Sequence, residues 1–165
     1  MNEMSEQARN FGAATVVSGW IPVTQEMIDH FGIATLDRDP MHMDPQWAER
    51  NSPFKRTISY GFLTVSLLTR LFHDACAGHE KAFPVRRGQI PLNYGLDKLR
   101  LVVPVPVGSR VRGRFSVISN SEQTRSGHPV TRLACRIEIE GQESPALVGE
   151  WLSAAVPAPQ SAAGE

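Results

Sequence analysis

Between residues 60 and 76 the apolar positions recur at helical spacing. Leu63, Leu67, Leu71 and Ala75 fall along one edge, and Thr64, Leu68, Phe72 and Cys76 along the next. Ser66, Thr69, Arg70, His73 and Asp74 make only a narrow polar stripe, so this helix is expected to be wrapped by other elements. Gly78 is placed to end it. Further along, the period falls to two. Val111, Gly113, Phe115 and Val117 alternate with Arg110, Arg112, Arg114 and Ser116, and Leu133, Cys135, Ile137 and Ile139 alternate with Arg132, Ala134, Arg136, Glu138 and Glu140. Both runs predict antiparallel strands with charged outer faces. Residues 90–103 and 146–156 are two further extended segments, with a bulge or bend expected at Gly95-Leu96-Asp97. Residues 104–109 and 121–129 carry turn chemistry.

Upstream of the helix, residues 13–23 predict a first extended segment with Thr15, Val17, Ile21 and Val23 on one parity. Thr24 caps a short helix over residues 25–33, with Glu26 in its first turn. A polar loop follows over residues 37–45, then a helical turn over 46–50, begun by Asp44 or Pro45 and anchored by Trp47. Residues 1–12 read as a flexible N-terminus, 13–156 as one domain, and 157–165 as a disordered tail. One buried helix laid on an antiparallel sheet is an α+β fold.

Seventeen basic and seventeen acidic residues cancel, which removes the electrostatic case for nucleic acid or an anionic membrane as partner. No apolar run approaches the roughly 20 residues that span a bilayer, and the acidic N-terminus lacks a signal-peptide pattern. Cys76 and Cys135 sit inside apolar patterns. Two are too few for a disulfide framework, so buried thiols of a cytoplasmic protein are expected.

The candidate chemistry lies in the loop. Asp37 and His42 stand five residues apart, leading into the buried helix. A carboxylate and an imidazole at the mouth of an apolar cavity can serve as a general acid and base. They can equally be local structure, the carboxylates accepting loop amides and the histidine packing on the sheet. A hard divalent ion on Asp37, Asp39, His42 and Asp44 is a third reading, but the spacing matches neither a calcium loop nor a zinc motif, and no metal or other cofactor is expected. Gly61 sits where the long helix leaves amides unpaired, fit either for holding developing negative charge or for close packing. Ser66 and Asn93 are weaker candidates for polar contact with a ligand, and His30, His73, His79 and His128 read as surface residues. Nucleophile elbows, phosphate loops and dinucleotide fingerprints are absent.

With these residues in hand, residues 31–71 resemble the MaoC-like, (R)-specific enoyl-CoA hydratases, including the single-domain group related to nodulation protein N. The motif stands here as Asp37-Arg38-Asp39-Pro40-Met41-His42-Met43-Asp44-Pro45, followed by Ile58-Ser59-Tyr60-Gly61-Phe62-Leu63. Leu92 to Arg100, Pro104 to Arg112 and Ser144 to Val148 extend the likeness. The resemblance implies a hot-dog fold, a homodimer that joins two sheets, and reversible syn addition of water to a trans-2-enoyl thioester of CoA or acyl carrier protein. It implies that Asp37 and His42 activate water and move a proton to C2, and that the Gly61 amide holds the thioester oxygen. Three positions depart from the pattern. Asp39 replaces an amide that helps hold the water, Tyr60 replaces a histidine, and Leu36 replaces a glycine. Asp39 and Tyr60 therefore join Ser66 and Asn93 as residues that orient water or substrate. A hot-dog thioesterase, or a non-catalytic acyl-thioester binder with a drifted site, remain the alternatives.

Overall fold

The computed structural model describes residues 15–77 and 88–159. Among them are six strands: β1 (Thr15–Val17), β2 (Ile21–Pro22), β3 (Gln89–Leu101), β4 (Arg110–Gln123), β5 (Pro129–Ile139) and β6 (Leu147–Pro157). Four helices accompany them: α1 (Gln25–Thr35), α2 (Pro40–Met43), α3 (Pro45–Asn51) and α4 (Gly61–Cys76). The sheet runs β1-β4-β5-β6-β3, with β2 also on β4, and every pairing is antiparallel. The long helix α4 lies on β4 and β1, the wrapped-helix arrangement of a hot-dog fold.

The period-two patterns place the core. Val111 and Phe115 of β4, Leu133, Ile137 and Ile139 of β5, and Leu147 and Trp151 of β6 point at Leu63, Leu67, Leu71 and Ala75 of α4. Phe72 stacks edge-on against Phe115 and Trp151, with centroids 5.2 and 5.4 Å away. A Cβ on Gly113 would stand 2.5 Å from Phe115 and 2.8 Å from Leu71, so the helix rests on bare backbone there. The outer face holds the expected charges in pairs. Arg112 and Arg114 share Glu138, and Arg132 joins Glu122, Asp97 and Glu150. The Arg132 guanidinium holds the Glu122 carboxyl down to about 2. Both cysteines are free, and burial pushes the Cys135 thiol up to about 12. No described helix is long and apolar enough to cross a membrane.

The structure corrects three expectations. The first extended segment is two short strands broken at residues 18–20, and its inward residue is Val16 rather than Val17. The break restores the parity of Val23, which is fully buried. The polar loop contains a helix of its own, α2, because Asp39-Pro40 is the same start signal as Asp44-Pro45 five residues later. In each, the aspartate is the N-cap and the proline the first helical residue. β4 runs on to Gln123, past the expected turn start. Gly78, expected to end the long helix, and His79 lie outside the described residues, and Ala77 is the C-cap of α4.

β3 is the edge strand. It pairs with β6 alone, with bulges between Asn93 and Gly95 and between Asp97 and Arg100. Ile90, Leu92, Tyr94 and Leu96 are exposed along it. A thirteen-residue edge that exposes these apolar side chains, with backbone groups open on one side, is a template for another strand.

Candidate active site

Helix α1 delivers the chain to the site. It stops at Leu36, whose φ of 61° is left-handed and whose amide returns to the Ile33 carbonyl. That C-cap conformation favours glycine. Leu36 is 82% exposed, so little burial compensates the backbone strain. Leu36→Gly is expected to stabilise the fold by about 1 kcal/mol, the cost of the left-handed conformation less the extra chain entropy of glycine. Thermal melting would show this as a rise of about 2–4 °C in Tm; a fall would mean that the leucine is held by contacts.

The next two carboxylates have different duties. Asp37 Oδ1 accepts the Asp39 amide at 3.2 Å, and among the described residues Asp37 forms no ion pair. The residue as a whole is exposed. Asp39 is committed: Oδ1 accepts the Met41 amide at 2.8 Å and starts α2. Asp44 starts α3 in the same way, accepting the Trp47 amide at 2.9 Å. Asp39 is therefore a helix cap through one oxygen, as Asp37 is a turn acceptor through one of its own. Among the described residues no three histidine, cysteine or carboxylate groups converge as a metal site, because caps and turns use the acidic side chains that the metal reading would need.

α2 turns the His42 ring inward, and the residue is only 9% exposed. Its Nδ1 lies 2.7 Å from the Ile58 carbonyl. A carbonyl can only accept, so Nδ1 carries the proton of the neutral ring and Nε2 keeps its lone pair. Tyr60 then joins histidine and aspartate. Its ring lies against the imidazole with centroids 3.9 Å apart, and its phenol donates to the Asp37 carbonyl at 2.5 Å. Burial raises the phenol's pKa, and the negative charges of Asp37, Asp39 and Asp29 raise it further, so the hydroxyl stays a donor. Tyr60 thus fixes the junction between Asp37 and His42.

Gly61 follows directly and opens α4. No side chain caps this helix, so its first amides face outward with the positive end of the dipole. A Cβ on Gly61 would stand 2.5 Å from Leu101 Cδ1 at the end of β3. Phe62 beside it is 77% exposed. The other two candidates are not brought here. Ser66 returns its hydroxyl to the Phe62 carbonyl at 2.8 Å, the ordinary back-bond of a helical serine. Asn93 sits exposed on β3 opposite Ser153, eight residues from Leu101 and thus about 25 Å along the strand.

Three residues at this site carry no signal in the sequence. Gln25 donates to the His42 carbonyl at 2.8 Å and accepts from Thr57 at 2.5 Å. Gly32 lets α1 lie against the junction, since a Cβ there would meet the Tyr60 hydroxyl, Met43 Sδ at 2.7 Å and the Asp37 carbonyl at 2.8 Å. Contacts across 17 and 32 positions leave no trace in local spacing.

Comparison with known proteins adds the following. The family model described as a MaoC like domain matches residues 7–134. Nodulation protein N of Rhizobium leguminosarum bv. viciae is 42% identical over 136 residues, covering 82% of this chain and 80% of that protein. The 3-hydroxyacyl-thioester dehydratase Z of Mycobacterium tuberculosis is 38% identical over 133 residues, covering 81% and 82%. Among solved structures, the (R)-hydratase of A. caviae involved in PHA biosynthesis superposes with a TM-score of 0.63, at 24% identity over 84% of this chain and 92% of that one. That last likeness concerns the fold.

Proposed function

The chain belongs to the MaoC-like dehydratase family of hydro-lyases, and from that premise we propose that it interconverts a trans-2-enoyl thioester and its (R)-3-hydroxyacyl thioester, with Asp37 and His42 as the acid–base pair. In the hydration direction, a water held by Asp37 and His42 Nε2 adds its oxygen to C3 and gives up a proton to the pair. The C2–C3 π electrons move toward the thioester carbonyl, whose oxygen gains charge against the Gly61 amide. The proton then returns to C2 as the carbonyl reforms. Dehydration is the same path reversed, and no redox step occurs.

The observation that supports this most is the arrangement around Tyr60, which touches His42 with its ring, holds Asp37 with its hydroxyl, and is followed at once by the uncapped amide of Gly61. The test is the ultraviolet absorbance of crotonyl-CoA and longer enoyl thioesters with purified protein, beside a sample containing a thiol reagent. Hydration bleaches the conjugated band without releasing thiol. Thiol release would point to hydrolysis, and no change with any chain length would point to a binder.

We assign the partner of β3 to a second copy of this chain, which places an apolar strand edge against its own symmetry mate. Light scattering coupled to gel filtration is expected to give twice the 18.2 kDa chain mass, and Leu92→Asp is expected to halve it. A monomeric mass for the unaltered chain would contradict this.

A further inference from the structure

Gln25 is on α1, outside every motif singled out in the sequence, yet its amide ties His42 to Asp29 and Thr57. Its Nε2 donates to the His42 carbonyl at 2.8 Å and to Asp29 Oδ1 at 2.7 Å, and its Oε1 accepts from Thr57 Oγ1 at 2.5 Å. The amide cannot be turned the other way, because the His42 carbonyl and the Asp29 carboxylate only accept. Both ends of the histidine are therefore tied to one side chain. The His42 backbone is held directly, through a carbonyl that a four-residue helix leaves without an internal partner. The ring is held through the next residue along. Thr57, 1% exposed, precedes Ile58, whose carbonyl takes the Nδ1 proton. The Thr57 carbonyl is in turn pinned by the Val107 amide at 2.9 Å.

We infer that Gln25 is a positioning residue for His42: together with Thr57 it closes a ring of hydrogen bonds that keeps the Ile58 carbonyl under Nδ1, and so keeps the histidine in the tautomer with a basic Nε2. This rests on the reading of His42 as the base. An imidazole freed from its acceptor populates both tautomers, and the lone pair then spends part of its time on the wrong nitrogen.

The experiment is Gln25→Glu, which keeps the shape and the acceptor for Thr57 but, ionised, cannot donate to His42 or Asp29. Long-range 1H–15N spectra of the histidine rings, with His42 assigned by its absence in His42→Gln, report the tautomer. The unaltered protein is expected to show the Nδ1–H pattern, and Gln25→Glu a mixture of both. With crotonyl-CoA, kcat is expected to fall about tenfold or more with KM little changed, and the pH dependence of kcat to shift. A His42 that keeps the Nδ1–H pattern in Gln25→Glu would overturn the inference whatever the pH profile, since the added charge alone shifts that profile. Should Gln25→Glu fail to fold, Thr57→Val removes the hydroxyl at constant shape and is read in the same way. The spectra do not depend on turnover. If the unaltered protein hydrates nothing, the proposed activity fails while the tautomer test still decides the role of Gln25.

Discussion

Asp37→Asn is expected to lower the rate of enoyl-thioester hydration by roughly 10²–10⁴-fold, the range that a positioned acid–base group contributes, with little change in Tm. The structure gives the reason for the mild stability effect. Asp37 Oδ1 accepts the Asp39 amide, and asparagine retains an oxygen in the same place. The change removes only the charge and the capacity to take a proton. His42 differs in this respect. Its ring is buried against Tyr60 and satisfies the Ile58 carbonyl, so alanine would open a cavity and orphan a buried acceptor at about 1–3 kcal/mol. His42→Gln is the better probe, since its amide can still donate toward Ile58 while offering no base. Rates and melting curves for both variants check the account: equal loss of activity with near-native Tm for Asp37→Asn is expected, and near-native rates in either would sink the acid–base assignment.

Gly32→Ala is expected to act on stability first, through packing. Alanine is the better helix former by about 1 kcal/mol, and Gly32 lies inside α1, so propensity alone predicts stabilisation. Sterics oppose it. The new Cβ would meet the Tyr60 hydroxyl and stand 2.8 Å from the Asp37 carbonyl, and one of these is backbone. Overpacking typically costs about 1–3 kcal/mol, and the displaced Tyr60–Asp37 hydrogen bond about 1 more. The clash wins, leaving a net loss of about 1–3 kcal/mol together with a fall in kcat, because the displaced junction is the one that joins Asp37 to His42. Tyr60→Phe removes the hydroxyl that the Cβ would strike. The double variant should therefore be more stable than the two single losses added together, a non-additivity of the kind that contacting residues show. Strict additivity in chemical denaturation would mean that Gly32 and Tyr60 do not meet.

The elements legible in the sequence were those with a sustained period. The apolar edge of Leu63, Leu67, Leu71 and Ala75 predicts both α4 and its burial, and the alternation through Val111–Val117 and Leu133–Ile139 predicts β4 and β5 with their arginine-rich outer faces. Shorter elements escaped. Val16 and Val17 are adjacent valines in a three-residue strand, too short for parity to be read. α2 was hidden because its Asp39-Pro40 start sits inside a stretch that also reads as a loop. Asp37, His42 and Gly61 stand out through motif spacing and resemblance, and the fold gathers them around Tyr60. Tyr60 and Asp39 stand out in the sequence only as departures from the family pattern, and their contacts as bridge and cap come from the fold. Gln25, Gly32 and Thr57 were invisible, since what matters about them is which distant atom they reach.

The most direct test of the central claim is the position of oxygen in the product. Crotonyl-CoA incubated with the protein in H2(18)O, then analysed by mass spectrometry, is expected to give a 3-hydroxyacyl thioester carrying the label at C3 with its thioester intact, and unlabelled enoyl thioester when Asp37 is replaced by asparagine. Label in a free carboxylate would show that the site hydrolyses thioesters, and would contradict the account.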